Sequence, residues 1–181
     1  MATLVVLLRG INVGGRNRVP MAGLRDLVES LGADDVATYL QSGNVVCRAA
    51  GSPDRLAGRL AAALSTGFGV TVPVVARTGR RWSDLVRDNP LAGLDDDPTR
   101  LHVAFLSAPA DPDRARALEE EAVAFAPERL VVSGADVYLH CPGGYADTPL
   151  QNALLEKRLD RVATTRNWRT VTALADLVAD R

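Results

Sequence analysis

Apolar positions along the chain fall into short runs, and two periods alternate. Leu4 to Leu8 is continuously apolar and of strand length, which predicts a buried strand. Pro20 stands where a helix begins. Met21, Leu24, Leu27, Val28 and Leu31 then share one face of a 3.6-residue period, and Gly32 closes it. Val36 to Leu40 predicts a second strand. Gln41-Ser42-Gly43-Asn44 turns it into a third, Val45 to Arg48, as a hairpin. Ser52-Pro53-Asp54 opens a helix with Leu56, Leu60 and Leu64 inward. Thr71 to Ala76 predicts a fourth strand, and a short helix follows around Trp82 to Val86.

Asn89 to Arg100, with Asp95-Asp96-Asp97-Pro98 at its centre, has the composition of a linker. After it the order restarts. Leu101 to Leu106 predicts a strand, and Asp113 to Phe125 a helix with Ala115, Leu118, Ala122 and Phe125 aligned. Leu130–Val132 and Val137–His140 predict a hairpin around Ser133-Gly134-Ala135-Asp136. Thr148-Pro149 opens a helix through Leu150, Leu154, Leu155 and Leu159, and a last helix carries Val171, Leu174, Leu177 and Val178. Strand–helix–strand–strand–helix thus occurs twice, and the turn sequences SGNVV and SGADV agree. The expected class is α+β: tandem ferredoxin-like subdomains packed as one unit. Residues 1–88 form the first, 89–100 the linker, and 101–181 the second with an extra C-terminal helix.

A length of 181 residues suits one core, or two small subdomains sharing one. No apolar run is long enough to cross a bilayer, and the N-terminus has neither a basic region nor a small-residue cleavage site. Cytoplasm is therefore the expected compartment, and no membrane partner is expected. Net charge is −1, which disfavours general nucleic-acid binding. The charge is unevenly placed: residues 1–90 carry 11 Arg against 7 Asp+Glu, and residues 91–181 carry 10 Lys+Arg against 15 Asp+Glu. All basic residues but Lys157 are arginines, which grip phosphate or carboxylate through a planar fork and stay protonated.

Candidate chemistry centres on RGINVGGRNRVP, Arg9 to Pro20. A strand, a glycine-rich loop and a helix start make a recurrent anion site, because backbone N–H groups and the helix N-terminus point at the ligand. Arg9, Arg16 and Arg18 supply charge-assisted donors. Asn12 and Asn17 offer amide donors or fix the turn. The stretch is neither G-x-G-x-x-G nor a P-loop. Read structurally, it is a surface turn whose glycines, Gly14 and Gly15 among them, take positive φ. The equivalent loop of the second half, Ser107 to Pro112, is short, lacks glycine and carries an acid, an asymmetry that favours a role for the first loop without naming it. A second polar cluster, Thr164 to Thr170, admits two readings. In one, Asn167 or Thr170 caps the last helix. In the other, Arg166 and Asn167 face an anion, and Trp168 offers a stacking surface.

Other constellations yield less. His102 and His140 sit in separate strands, with no metal-ligand spacing and no cofactor motif, so neither metal nor cofactor is expected. His140 and Cys141 point to opposite faces of an extended run. Cys47 and Cys141 read as small buried apolar residues before they read as nucleophiles. Ser42 lacks the G-x-S-x-G context, and with Asn44 it fits a tight turn. Asn152 and Glu156 share a helix face.

Together LLRGINVGGRNRVPM, TYLQSGNVV and ATTRNWRTV resemble the bacterial family termed domain of unknown function 1697. The resemblance covers nearly the whole chain and implies the same tandem ferredoxin-like fold. It places Arg9, Gly10, Asn12, Gly14, Gly15, Asn17, Ser42, Gly43, Asn44, Arg166, Asn167 and Trp168 on family motifs, and it supplies no activity. Arg16 replaces a common lysine, Cys47 a common aromatic, and Thr148-Pro149-Leu150 a frequent Thr-Lys-Leu. The expected function is binding of a small anionic ligand, a nucleotide or phosphorylated molecule, by Arg9, Asn12, Gly14, Gly15, Arg16, Asn17, Ser42, Asn44, Arg166, Asn167 and Trp168. The alternatives are an enzyme acting on such a ligand, with no base or nucleophile assigned, and an interaction module whose sheets pair with a second copy as a homodimer.

Overall fold

The computed structural model describes all residues, 1–181. The chain divides into two compact units: Met1–Arg87 with Ala173–Arg181, and Asp88–Thr172. The first contains β1 (Ala2–Leu8), α1 (Met21–Ser30), β2 (Asp34–Tyr39), β3 (Asn44–Ala49), α2 (Pro53–Phe68), β4 (Val74–Thr78) and α3 (Gly79–Arg87). Its sheet has the order β2-β3-β1-β4 and is antiparallel throughout. The second repeats the plan with β5 (Leu101–Leu106), α4 (Pro112–Ala122), β6 (Arg129–Ser133), β7 (Asp136–His140), α5 (Asn152–Leu159) and β8 (Ala163–Asn167). Its order is β6-β7-β5-β8, again antiparallel. Helix α6 (Trp168–Ala179) starts in the second unit and ends in the first. Each unit is therefore a βαββαβ ferredoxin-like sheet; the tandem ferredoxin-like class is as expected, and the second unit's last strand, β8, is an addition to the expected pattern.

Alternation explains the cores. Leu4, Val6 and Leu8 face α1 and α2, whose Leu24, Val28, Leu56, Leu60 and Leu64 cover them. Val5 and Leu7 point to the other face and are equally buried, which is why β1 is an unbroken apolar run. In the second unit Ala104, Leu106, Val137 and Leu139 pack against Leu118 of α4 and Leu155 and Leu159 of α5.

The repeat extends to individual hydrogen bonds. Leu8 N–H donates to Gly43 O and Leu106 N–H to Ala135 O, both at 2.8 Å. Arg9 N–H reaches Pro73 O at 3.0 Å, and Ser107 N–H reaches Val162 O at 2.8 Å. Arg77 and Arg166 each donate from Nη1 to the preceding residue's carbonyl at 2.9 Å. Thr78 Oγ1 accepts from Arg81 N–H, and Asn167 Oδ1 from Thr170 N–H, so both helices after a fourth strand are capped alike.

Three boundaries differ from the pattern. β4 starts at Val74 rather than Thr71, because Pro73 has no N–H for a ladder and instead accepts from Arg9. Helix α5 begins at Asn152, not Thr148: Thr148 Oγ1 accepts from Leu150 N–H in a turn, and Gln151 folds back on Tyr145 O and Ala146 O. Residues 163–167 are a strand, β8, that the polar composition of Ala-Thr-Thr-Arg-Asn conceals, and its last residue Asn167 also caps the helix that follows. The segment 89–100 has no helix or strand and is a chain of Asx turns: Asn89, Asp95 and Asp97 each accept from the N–H two residues on.

Candidate functional site

The loop from Arg9 to Pro20 folds on itself. Val13 and Arg16 form a two-residue antiparallel hairpin, closed by Arg16 N–H to Val13 O at 3.0 Å. Gly14 and Gly15 are its central residues with φ of 57° and 76°, the sign pattern of a type I′ turn. Both stand in open space, so glycine is required there by the backbone and not by crowding. Asn12 braces the base: its Nδ2 donates to Val19 O and to Gln41 O, each at 2.9 Å, and its Oδ1 accepts from Val19 N–H at 2.8 Å. Asn17 Nδ2 holds Gly10 O at 2.9 Å. Asn12 and Asn17 both lie at positive φ, 55° and 48°, which asparagine tolerates best among non-glycine residues. The two amides that offered themselves as ligand donors or turn braces are turn braces.

The turn between β2 and β3 meets this loop. Asn44 is fully buried, and its Nδ2 donates to Tyr39 O at 2.9 Å and Ser42 Oγ at 3.0 Å. Gly43 has φ 81°, and a Cβ there would lie 2.7 Å from Leu8 Cβ and 2.9 Å from Ile11 Cδ1. Close approach as well as conformation therefore demands glycine, and Ile11 anchors the loop root in the core.

A hollow of about 400 Å³ opens beside these two turns, lined by Asn12, Gly15, Arg18, Val19, Pro20 and Gln41. It lies at the start of α1, where no side chain caps the helix at Pro20 and the first turn holds no acid. Helix N–H groups without partners carry partial positive charge. Arg16 and Arg18 are exposed, and no carboxylate pairs with either guanidinium. Gln41 is a lining residue that composition and spacing did not single out. The Asn12 bond to its carbonyl ties it to the loop.

Arg166, Asn167 and Trp168 stand in the second unit, where β8 meets α6. Arg166 is on β8 opposite Val103, and burial pulls its guanidinium down to about 10, still charged at neutral pH. Asn167 is the cap of α6, and Trp168 is its half-buried first residue. Asn152 and Glu156 are both turned onto β8, accepting from Thr165 Oγ1 at 2.7 Å and Ala163 N–H at 2.9 Å. Both thiols are buried: burial pushes Cys47 up to about 11 and raises Cys141, whose partner is Thr148. His102 stacks on Tyr145 with ring centroids 4.6 Å apart, and His140 Nε2 bonds Asp95 Oδ2 at 3.1 Å. No group of three or more His, Cys, Asp or Glu side chains is arranged to hold a metal ion, and no helix is long and apolar enough to cross a membrane.

Two ferredoxin-like repeats, the first with an elongated basic loop after its opening strand, define the class. The chain belongs to the family described as Protein of unknown function (DUF1697), whose sequence pattern matches residues 1–138. That match contains the basic loop and the β2–β3 turn; the β8–α6 junction lies beyond it. A solved structure, that of conserved bacterial protein SP0830 from Streptococcus pneumoniae, is similar with a TM-score of 0.77. It is 25% identical, with 98% of each chain covered. No curated protein is significantly similar.

Proposed function

We propose that the chain is a cytoplasmic binding protein for a small anionic ligand, a nucleotide or other phosphorylated molecule, held at the Arg9–Pro20 loop. The observation that supports this is the hollow at the acid-free, uncapped start of α1, with the unpaired guanidinium groups of Arg16 and Arg18 beside it. A volume of about 400 Å³ is within the range of small-molecule sites. In this reading Arg9, Arg16 and Arg18 supply charge, and Gly14 and Gly15 keep the loop slim so that backbone N–H groups remain approachable. Asn12, Asn17, Ser42 and Asn44 shape the site, the three amides and the Ser42 hydroxyl being engaged within the chain. Arg166, Asn167 and Trp168 stand in the second unit, with Asn167 engaged as the cap of α6, and the reading does not depend on them.

The test is differential scanning fluorimetry against nucleotides and sugar phosphates. A ligand that binds only the folded state raises Tm with concentration. Arg16→Ala combined with Arg18→Ala should leave the unliganded Tm almost unchanged, since both side chains are exposed, and abolish the ligand-induced rise. A rise that survives the double substitution, or no rise with any phosphorylated compound, rules the reading out.

A further inference from the structure

We infer that an apolar groove on the second unit receives the Val13–Arg16 hairpin tip of a second copy of this chain. This goes beyond small-anion binding: it sets the same loop's tip, Arg16 included, against a groove whose residues do not line the hollow. The groove, about 420 Å³, lies where α4 gives way to a 3-10 turn at Val123–Phe125 and the chain bends through Pro127 into the edge strand β6. Leu91 and Leu130 are buried beneath it, and Val123 stands at its side with 76% of its surface exposed. Glu119, Glu128 and Arg129 are the charged residues of the lining, two acids against one base.

The chain itself carries a matching piece. Val13 is 63% exposed, another of the few large apolar side chains left in water. It sits on a tip that is narrow, because Gly14 and Gly15 have no side chains, and positive, because Arg16 pairs across from it and the whole loop lacks an acid. A valine on a cationic tip complements an apolar groove with an acidic rim. The same opposition runs through the sequence, whose first half is net positive and second half net negative.

One hydrogen bond selects the kind of occupant. β6 is a sheet edge, and an extended peptide adding to it as a strand would use the outward Val132 N–H. That donor is already held by Glu119 Oε1 at 2.7 Å. One donor of the edge beside the groove is thereby taken up, which favours a short tip entering end-on over a long added strand. The contact joins two different surfaces, so it is heterologous.

Sedimentation velocity of the full chain over a concentration series tests this. The expected result is a mean mass that rises above the 19.3 kDa monomer with concentration and falls back as salt is added. Val123→Asp and Val13→Asp, both at exposed positions, should each restore the monomer while leaving Tm unchanged. Arg16→Glu alone and Glu128→Arg alone should each weaken association at least several-fold, and the two together should recover it. A monomer at every concentration overturns the inference, and so does association that persists in Val123→Asp or a double charge swap without recovery. Ligand-induced stabilisation by inorganic phosphate, measured on Glu128→Arg, reports on the hollow independently, because Glu128 is not among its lining residues.

Discussion

His102 shows how one buried ring sets a pH response. It is 7% exposed, its Nδ1 has no partner, and it stacks on Tyr145. Burial lowers its pKa from 6.5 to about 4, against a smaller opposing hydrogen bond to the Arg100 backbone. Above pH 6.5 the ring is neutral in folded and unfolded chains alike. Between 6.5 and 4 the unfolded chain takes up a proton that the folded chain refuses, so stability falls as pH falls through that window. The loss at its lower end is about 3 kcal/mol. His102→Phe keeps a ring against Tyr145 and removes the titration. Urea unfolding midpoints at pH 7.5 and pH 4.5 should therefore differ less in the variant than in the parent. An undiminished difference would place the acid sensitivity elsewhere. Asn12 makes a parallel case in the loop. Asn12→Ala removes three hydrogen bonds and leaves the Val19 N–H and the Gln41 carbonyl without their partner. A loss of about 2–3 kcal/mol in unfolding free energy is expected, whereas Arg16→Ala, at an exposed position, should cost less than about 0.5 kcal/mol.

At the scale of elements, strands and helices with a strong period were legible, and those held by side-chain hydrogen bonds were not. β1, β5 and α2 follow from apolar spacing, and Ser52 does accept from Arg55 N–H as its position implied. β8 has no such spacing. It is polar because it is an edge, and α5 fastens it: Glu156 takes the Ala163 N–H, and Asn152 takes the Thr165 hydroxyl. The i, i+4 relation of Asn152 and Glu156 was visible in the sequence, but their partners lie across a turn that spacing does not encode. The loop is similar. Its glycines and basic charge could be read directly, while the roles of Asn12 and Gln41 depend on a bond between residues 29 positions apart. The fastening of β8 can be measured. Glu156→Ala should destabilise the chain by about 1–2 kcal/mol through the unpaired Ala163 N–H, and it should speed hydrogen exchange at residues 163–167 more than at β5. Uniform exchange rates in both strands would mean that Glu156 does not hold the edge.

The whole molecule repeats one sheet plan, and its last helix starts in the second unit and ends in the first. The second repeat ends β8–α6 as the first ends β4–α3, yet residues 173–181 group with the first unit. Gly79, the first residue of α3, shows what that return secures. A Cβ at Gly79 would come within 2.9 Å of Val178 Cγ1 on α6 and 3.1 Å of Thr3 Cβ on β1, so a position near the end of the chain is packed against one near its start. Arg181 strengthens the arrangement, its Nε lying 3.0 Å from Asp35 Oδ2 and 3.2 Å from Asp35 O, where Asp35 takes φ 50° at the irregular start of β2. Gly79→Ala should therefore overpack this junction and cost about 1–3 kcal/mol. Val178→Ala alone should cost about 1 kcal/mol, since the side chain is half-buried. In the double variant the removed methyl groups make room for the added one, so the combined loss should be smaller than the sum by about 1 kcal/mol. The 3.1 Å approach to Thr3 Cβ remains, which keeps the relief partial. Strict additivity, read from unfolding free energies of the four proteins, would mean that α6 does not close on the first repeat and that the long-range packing assigned to residues 173–181 is wrong.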